Sequence, residues 1–407
     1  MAEIEIIALG HRGDGEAAGE GGALYAPFTL PGERVAGEIA GDRIARPAVL
    51  RTAPARIAPV CPHFGACGGC ALQHASDAFL AEWKTELVRT ALAARGLEAE
   101  LRPIHVSPPG ARRRVVLSGR RLKSGVLLGF HGRGEAEIVG VDACPVAHPE
   151  ILGARAALAR IVGLIGSRKG EVKLSVAVSE AGLDVAAEGG KPLDASLRAA
   201  LGALAEEADF ARLSLGGETL AGRRPPFQRF GRALVAPPPG GFIQATADGE
   251  AALVAAAREA VGDAKRVADL FAGAGALALP LAERAAVTAV EADAAALAAL
   301  DAGWRRAEGL RAVRCEARDL FRRPLAAAEL DAFDAVAIDP PRAGAQAQTA
   351  QIAASRLRAV AALSCNPATF ARDARILVDA GFRLLWIQPV DQFRWSPHVE
   401  LAAAFAR

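Results

Sequence analysis

The feature that most limits how this chain can fold is a change of rhythm near residue 236. Beyond it, short apolar runs alternate with helical stretches, the pattern of a parallel, doubly wound α/β sheet. A helix over Gly249 to Val261 leads into a first strand, Arg266 to Leu270. Further strands are expected at Val287 to Val290, Ala312 to Cys315, Ala335 to Ile338 and Val360 to Leu363, and two more, near Arg383 to Ile387 and Leu401 to Phe405, close the sheet. The strand ends carry Asp269 ahead of Phe271-Ala-Gly273-Ala-Gly275, then Glu291, Asp319, Asp339-Pro-Pro-Arg342 and Ser364-Cys365-Asn366-Pro367. Open α/β sheets bind ligands outside the carboxyl ends of their strands, so chemistry is expected at these tips.

A glycine turn after the first strand lets backbone amides approach a nucleotide-like ligand, and an acid at the second tip can hold both ribose hydroxyls. By itself Gly273-Ala-Gly275-Ala-Leu-Ala278 also fits a relaxed dinucleotide fingerprint, which makes NAD a rival. The acids decide against it. Asp269, Asp319 and Asp339 would crowd a pyrophosphate, whereas S-adenosylmethionine has none and carries a positive sulfonium. Cys365 stands at the mouth of an apolar strand where Asn366-Pro367 forces a turn. Taken alone, such a thiol reads as a buried structural cysteine, and Cys315, at a strand end with no turn motif, keeps that reading.

Upstream, residues 1 to about 57 hold short strands (Ile4 to Ile7, Gly22 to Pro27, Glu33 to Ile39) between Gly and Pro turns, which suggests a small β-barrel. Next come Cys61, Cys67 and Cys70 within one glycine-rich stretch, and Cys144-Pro145 follows distantly. Four thiolates without a dedicated histidine suit either a [4Fe–4S] cluster or structural zinc. A grouped triad with a remote Cys-Pro favours the cluster, whereas paired knuckles would favour zinc. Six cysteines in a chain expected in the cytoplasm argue for metal or catalysis over disulfides. Ser76-Asp77 opens a helix ending at Gly96 whose apolar stripe reads as core. Residues 103–235 read as an α+β domain with strands at Arg114 to Leu117, Val126 to Phe130, Lys173 to Val178 and Gly182 to Ala187, and one alanine-rich helix near 149–165.

A net charge of +2 makes no global case for nucleic acid. Arg112, Arg113, Arg114, Arg120, Arg121 and Lys123 nevertheless cluster, as do Arg223, Arg224, Arg229 and Arg232. Such runs are by default a solvated surface, and they also fit phosphate contacts. No apolar run reaches the roughly 18–20 residues of a bilayer span, and Met1-Ala2-Glu3-Ile4-Glu5 lacks a leader's basic start, so a cytoplasmic protein without a membrane partner is expected.

Together, Asp269-Leu-Phe-Ala-Gly-Ala-Gly275, Ile338-Asp-Pro-Pro-Arg-Ala-Gly344, Ser364-Cys-Asn-Pro-Ala368 and Pro397-His-Val-Glu400 resemble the RNA uracil-5-methyltransferase family. The cysteine quartet makes the chain similar to the iron–sulfur-containing 23S ribosomal RNA uracil-5-methyltransferases, and Leu24-Tyr-Ala-Pro-Phe-Thr-Leu-Pro-Gly-Glu33 resembles part of the OB-like TRAM barrel. The resemblance implies a TRAM-like barrel over 1–57 and a central iron–sulfur and RNA-binding domain over 58–235. A Rossmann-like class I methyltransferase domain would span 236–407, with the 76–96 helix packed on it. It further implies a monomer acting on RNA, above all 23S ribosomal RNA, with Cys61, Cys67, Cys70 and Cys144 holding the cluster.

In that family a cysteine, here Cys365, adds to carbon 6 of uracil so that carbon 5 becomes nucleophilic enough to take the sulfonium methyl. Glu400 matches the glutamate that removes the carbon 5 proton; without the motif it would read as a surface carboxylate at a strand start. Gln244 matches a glutamine near the cofactor, Phe271 and Gly273 would line its pocket, Glu291 would hold the ribose, Asp319 would lie near the adenine and Asp339 near the reacting groups. Ala276 and Ala245-Thr246 depart from the commoner Asn and Val-Asn. The target uridine should be flipped or unpaired, with barrel and arginines gripping the surrounding RNA.

Several rivals remain. Radical chemistry on the cluster would need a different cysteine spacing and an open iron, and Cys144 would fill that position. RNA cytosine-5 methylation typically places a cysteine after Asp-Pro-Pro, where this chain has Arg342. Transfer RNA is the rival substrate, and a non-catalytic iron–sulfur RNA-binding protein is the rival class; the latter would have no need of Cys365 or Glu400.

Overall fold

The computed structural model describes residues 2–19 and 21–407; Met1, on which the reading of the N-terminus partly rests, lies outside them. The C-terminal half is built on a mixed sheet. From one edge its order is His105–Val106, Arg383–Asp391, Glu400–Ala406, Ala359–Ser364, Ala335–Ile338, Arg266–Leu270, Ala286–Glu291 and Val313–Ala317, with Glu100–Leu101 also paired to Arg383–Asp391. The central strands are parallel, Leu270 lying opposite both Val290 and Ile338. The chain runs outward from Arg266–Leu270 to one edge, then returns to its other side at Ala335–Ile338. This is the topological switch that opens a crevice at the carboxyl ends.

Glu400–Ala406 runs antiparallel to both its neighbours. An antiparallel strand begins where parallel ones end, so Glu400 pairs with Val390 and Leu401 with Ser364, at the crevice edge. Both sheet faces are covered, which is why its strands are continuous apolar runs. Val267, Ala289 and Leu363 pack with Leu253 and Leu300 on one face, and Ala268, Val336 and Val360 with Ile352, Phe370 and Leu377 on the other.

The N-terminal half reaches into this unit. Helix Asp77–Ala93, capped by Ser76 Oγ at the Phe79 amide (3.4 Å), sends Val88 and Leu92 into the core of the second face. Its other side packs Leu80 and Trp83 with Leu9, Leu30 and Leu72. Between these ends, strands within residues 114–222 form a seven-stranded sheet covered by helices Arg155–Ile165 and Ala195–Glu207. The described strands between Ala2 and Arg51 form small sheets of three and five strands, and Ile6, Ala17, Leu24, Ala26, Val35 and Ile44 fill the core there.

Several elements escaped the sequence, two of them instructive. Strand Asp14–Gly19 has little β-propensity and exists because it pairs in register with Gly22–Pro27. Helix Ala195–Glu207, capped by Asp194 Oδ1 at the Leu197 amide (2.7 Å), is a further helix in a region where the sequence pointed to only one, because its alanines blur the apolar stripe. Among the described residues no helix is long and apolar enough to cross a membrane.

Candidate active site

The first strand ends in a turn that an ordinary residue resists. Phe271 has φ 64°, left-handed for an aromatic, a conformation costing roughly 1–3 kcal/mol. It is held because the Phe271 and Ala272 amides both donate to the Val290 carbonyl, at 3.0 and 3.1 Å. Gly275 follows at φ 99°, where a Cβ would lie 2.8 Å from Leu300 Cγ. The Gly273 amide donates to Glu291 Oε2 (2.9 Å), and Glu291 Oε1 accepts the Ala292 and Asp293 amides at 2.7 and 2.8 Å. Five amide contacts thus aim the first two strand tips at one place.

That place is a cleft of about 620 Å³, lined by Gln244, Phe271, Gly273, Glu291, Asp319, Asp339, Cys365 and Glu400, every residue nominated for cofactor or chemistry. Asp319 Oδ1 accepts the Phe321 and Arg322 amides (2.9 and 3.2 Å), which turns the loop so that the Phe321 ring stands 5.3 Å from that of Phe271. Phe321 is an exposed apolar wall of the cleft that the sequence did not single out. Asp269 also lines the cleft, fully buried, and neither carboxylate oxygen has a hydrogen-bond partner of good geometry among the described residues.

The reacting end is built by the fourth, fifth and seventh strands. Asn366 caps helix Pro367–Asp379 through Oδ1 to the Ala368 amide (3.1 Å), while its Nδ2 donates to the Arg342 carbonyl (3.1 Å). Ser364 Oγ accepts the Asn366 amide at 3.1 Å. The Ser-Cys-Asn-Pro turn therefore fixes the Cys365 backbone against the Asp-Pro-Pro-Arg turn. Glu400 is buried, contrary to the surface position its strand start alone suggests.

The electrostatics are those of acids crowded in an apolar place. Burial and then the Asp339 charge push Asp269 well above the usual carboxylate range. Burial lifts Asp339 to about 6, and burial followed by the Asp339 charge lifts Glu400 to about 8. Burial, then Glu400 and Asp339, raises the Cys365 thiol to about 11, opposed by its own backbone and Arg342. Such a cleft is complementary to a cation; an incoming positive charge would draw these groups toward their ionised forms.

Gln244 reaches Asp339 Oδ2 at 3.5 Å and is itself held by Gln392 Nε2 donating to its Oε1 at 2.9 Å. Gln392, a buried partner of this site, lies outside every motif and was missed. Cys315 is half-buried on Val313–Ala317 and does not line the cleft.

The four remaining thiols do not form a ready-made metal centre. Among the described residues no three His, Cys, Asp or Glu side chains are grouped closely enough to hold an ion. The thiols are nevertheless neighbours: burial raises Cys70 to about 11, with the charges of Cys144, Cys67 and Cys61 adding to it. The Gly69 amide also points at Cys67 Sγ at 3.5 Å. The donor set is thus soft and within electrostatic reach of Cys70, without being grouped as ligands. Part of the arginine clusters is spoken for, Arg113 by Glu250 (2.6 Å), Arg224 by Asp209 (2.9 Å) and Arg229 by Glu180 (2.7 Å). Arg112 and Arg114 instead lie over Phe393 and Phe242, both lining the cleft.

Comparison with known proteins agrees with this geometry. Residues 237–407 match the family model described as tRNA (Uracil-5-)-methyltransferase. An uncharacterized RNA methyltransferase of Brucella suis is 46% identical over 405 residues, covering 100% of this chain and 98% of its own. The 23S rRNA (uracil(1939)-C(5))-methyltransferase RlmD of Alkalilimnicola ehrlichii is 34% identical over 440 residues, covering 100% of this chain and 96% of its own. Among solved structures, the Pyrococcus abyssi tRNA (uracil-54, C5)-methyltransferase in complex with S-adenosyl-L-homocysteine shares the fold, with a TM-score of 0.77, 22% identity and 99% of both chains covered. The acid-lined crevice at the switch of a methyltransferase sheet and full-length likeness to named RNA methyltransferases lead to one conclusion: the chain belongs to the RNA uracil-5-methyltransferase family, whose methyl donor is S-adenosylmethionine.

Proposed function

We propose that this enzyme methylates carbon 5 of a uridine in 23S ribosomal RNA through a transient bond between Cys365 and the base. The observation that carries the reading is the meeting of Cys365, Asp339 and Glu400 in one buried cleft with the Gly273 turn and Glu291. Bound there, S-adenosylmethionine supplies an electrophilic methyl on a cationic sulfur. Gln244, Phe271, Gly273, Glu291 and Asp319 hold it, Phe271 and Phe321 offering apolar faces and Glu291 a carboxylate for the ribose. Cys365 Sγ, as the thiolate, adds to carbon 6 of the uracil, and the ring electrons pass to carbon 5, which takes the methyl as the sulfonium S–CH3 bond breaks, its electron pair goes to sulfur and S-adenosylhomocysteine leaves. Glu400 then accepts the carbon 5 proton; the C5–H pair re-forms the double bond, the C6–S bond breaks and the thiolate leaves. A resting thiol near 11 is not a nucleophile, so thiolate formation is coupled to the arrival of positive charge in the acid-lined cleft.

Ribosomal RNA is favoured by the relative named for that substrate, similar along the whole chain. The strands of residues 2–51 are read as a TRAM-like RNA-binding barrel, 58–235 as a central domain and 236–407 as the catalytic domain. Cys61, Cys67, Cys70 and Cys144, four soft donors that act electrostatically on one another, would hold a [4Fe–4S] cluster as their resident group. Mass-spectrometric mapping of methylated uridines in cells with and without the gene tests the substrate. One 23S site should disappear on deletion and return with the wild-type chain but not with Cys365→Ala. Loss of a transfer RNA site instead would overturn the ribosomal assignment.

A further inference from the structure

Residues 391–395, between strand Arg383–Asp391 and the turn before Glu400, are each gripped from outside the loop. Lys84, wholly buried in helix Asp77–Ala93, pairs its Nζ with Asp391 Oδ1 (2.6 Å) and donates to the Phe393 carbonyl (3.2 Å). Gln392 Oε1 accepts the Thr246 amide at 3.2 Å while its Nε2 holds Gln244, a fit that needs Gly249, where a Cβ would lie 2.3 Å from Gln392 Cγ. Arg394 donates to the Ser107 carbonyl (3.2 Å) and pairs with Asp77. The Trp395 carbonyl accepts the Ala71 and Leu72 amides, at 2.9 and 3.0 Å, immediately after Cys70. Trp395 has φ 59°, a backbone state that a bulky side chain adopts only where its surroundings impose it, and its ring is buried against Leu72, Leu80 and Trp83.

We propose that residues 70–84, where the cysteine-rich stretch passes into the helix, are the positioning element for the loop from Phe393 to Glu400. The N-terminal half thereby sets the place of the proton acceptor, although nucleophile and cofactor residues are C-terminal. Phe393 lines the cleft, and the loop leads within five residues of Trp395 into Glu400 at the start of the last strand, so its path sets where that strand begins. A misplacement of about 1 Å in a reacting group is enough to cost on the order of 100-fold in rate. The inference rests on the reading of Glu400 as the group that takes the carbon 5 proton.

The test uses the full chain in three forms. Trp395→Ala removes the plug. Lys84→Met with Asp391→Leu removes the buried pair without leaving a lone charge, and so carries the test if Trp395→Ala does not fold. Glu400→Gln is the reference. Both loop variants should bind S-adenosylmethionine with wild-type affinity by calorimetry, lose roughly 10–100-fold in kcat with the donor KM unchanged, and accumulate covalent protein–RNA adduct on denaturing gels. Trp395→Phe should restore turnover. If either folded loop variant turns over at the wild-type rate without adduct while Glu400→Gln accumulates it, the positioning role is wrong and the proton-acceptor reading stands. If Glu400→Gln itself releases product at the wild-type rate, both fall.

Discussion

At neutral pH the Glu400 carboxyl, lifted to about 8, keeps its proton in most molecules of the empty enzyme, and the Cys365 thiol, near 11, keeps its own in nearly all. In the proposed mechanism both must lose it to act, so the two shifts push in the same direction. The raised groups are inert below their folded values and active above them. We therefore expect kcat/KM, which reports the free enzyme, to rise at least about tenfold between roughly pH 6.5 and 8.5. A flat profile would mean that neither group titrates on the path to methylation. Cys315→Ala should keep activity within about twofold, since the site is only half-buried and lies outside the cleft; Cys365→Ala should abolish it. The same methylation assay checks both.

Among the elements, the glycine turn after the first strand shows how backbone conformation becomes specificity. At Gly275 the φ of 99° and the 2.8 Å approach to Leu300 leave no room for a side chain. Gly275→Val should weaken S-adenosylmethionine binding at least about tenfold by calorimetry, with RNA retention on a filter unchanged. Equal loss of both ligands would point to general unfolding instead. The antiparallel last strand is the other decisive element. Had it run parallel, Glu400 would open at the opposite edge of the sheet, far from Ser364 and its neighbour Cys365.

For the whole molecule, the proposed cluster and the proposed loop support share one stretch of chain, because Cys70 is followed directly by the amides that hold Trp395. Anaerobically purified protein should carry about four irons per chain and absorb broadly in the visible. Stoichiometric zinc, or no metal at all, would remove the cluster from the account. Chelation of bound iron should also shift the fluorescence of the buried Trp395, by comparison with Trp395→Phe.

The sheet and most of the site were legible because both rest on local pattern. Apolar runs of strand length ending in Asp269, Glu291, Asp339 and Cys365 mark tips that any doubly wound sheet must bring to one edge. Strand Asp14–Gly19 was hidden because pairing, not propensity, makes it. Lys84 was hidden because a lysine on a helical stripe gives no sign of its distant partner; only the folded chain brings it to Asp391, more than 300 positions away. By itself, then, the sequence determined which side chains stand at which strand ends and, through the family resemblance, which of them to nominate for chemistry. Only the tertiary structure decided that Glu400 is buried, that Arg113, Arg224 and Arg229 are paired with acids, and that the N-terminal half grips the loop before Glu400. Those are contacts between segments remote in the chain, and their energies depend on burial and proximity that no local pattern encodes.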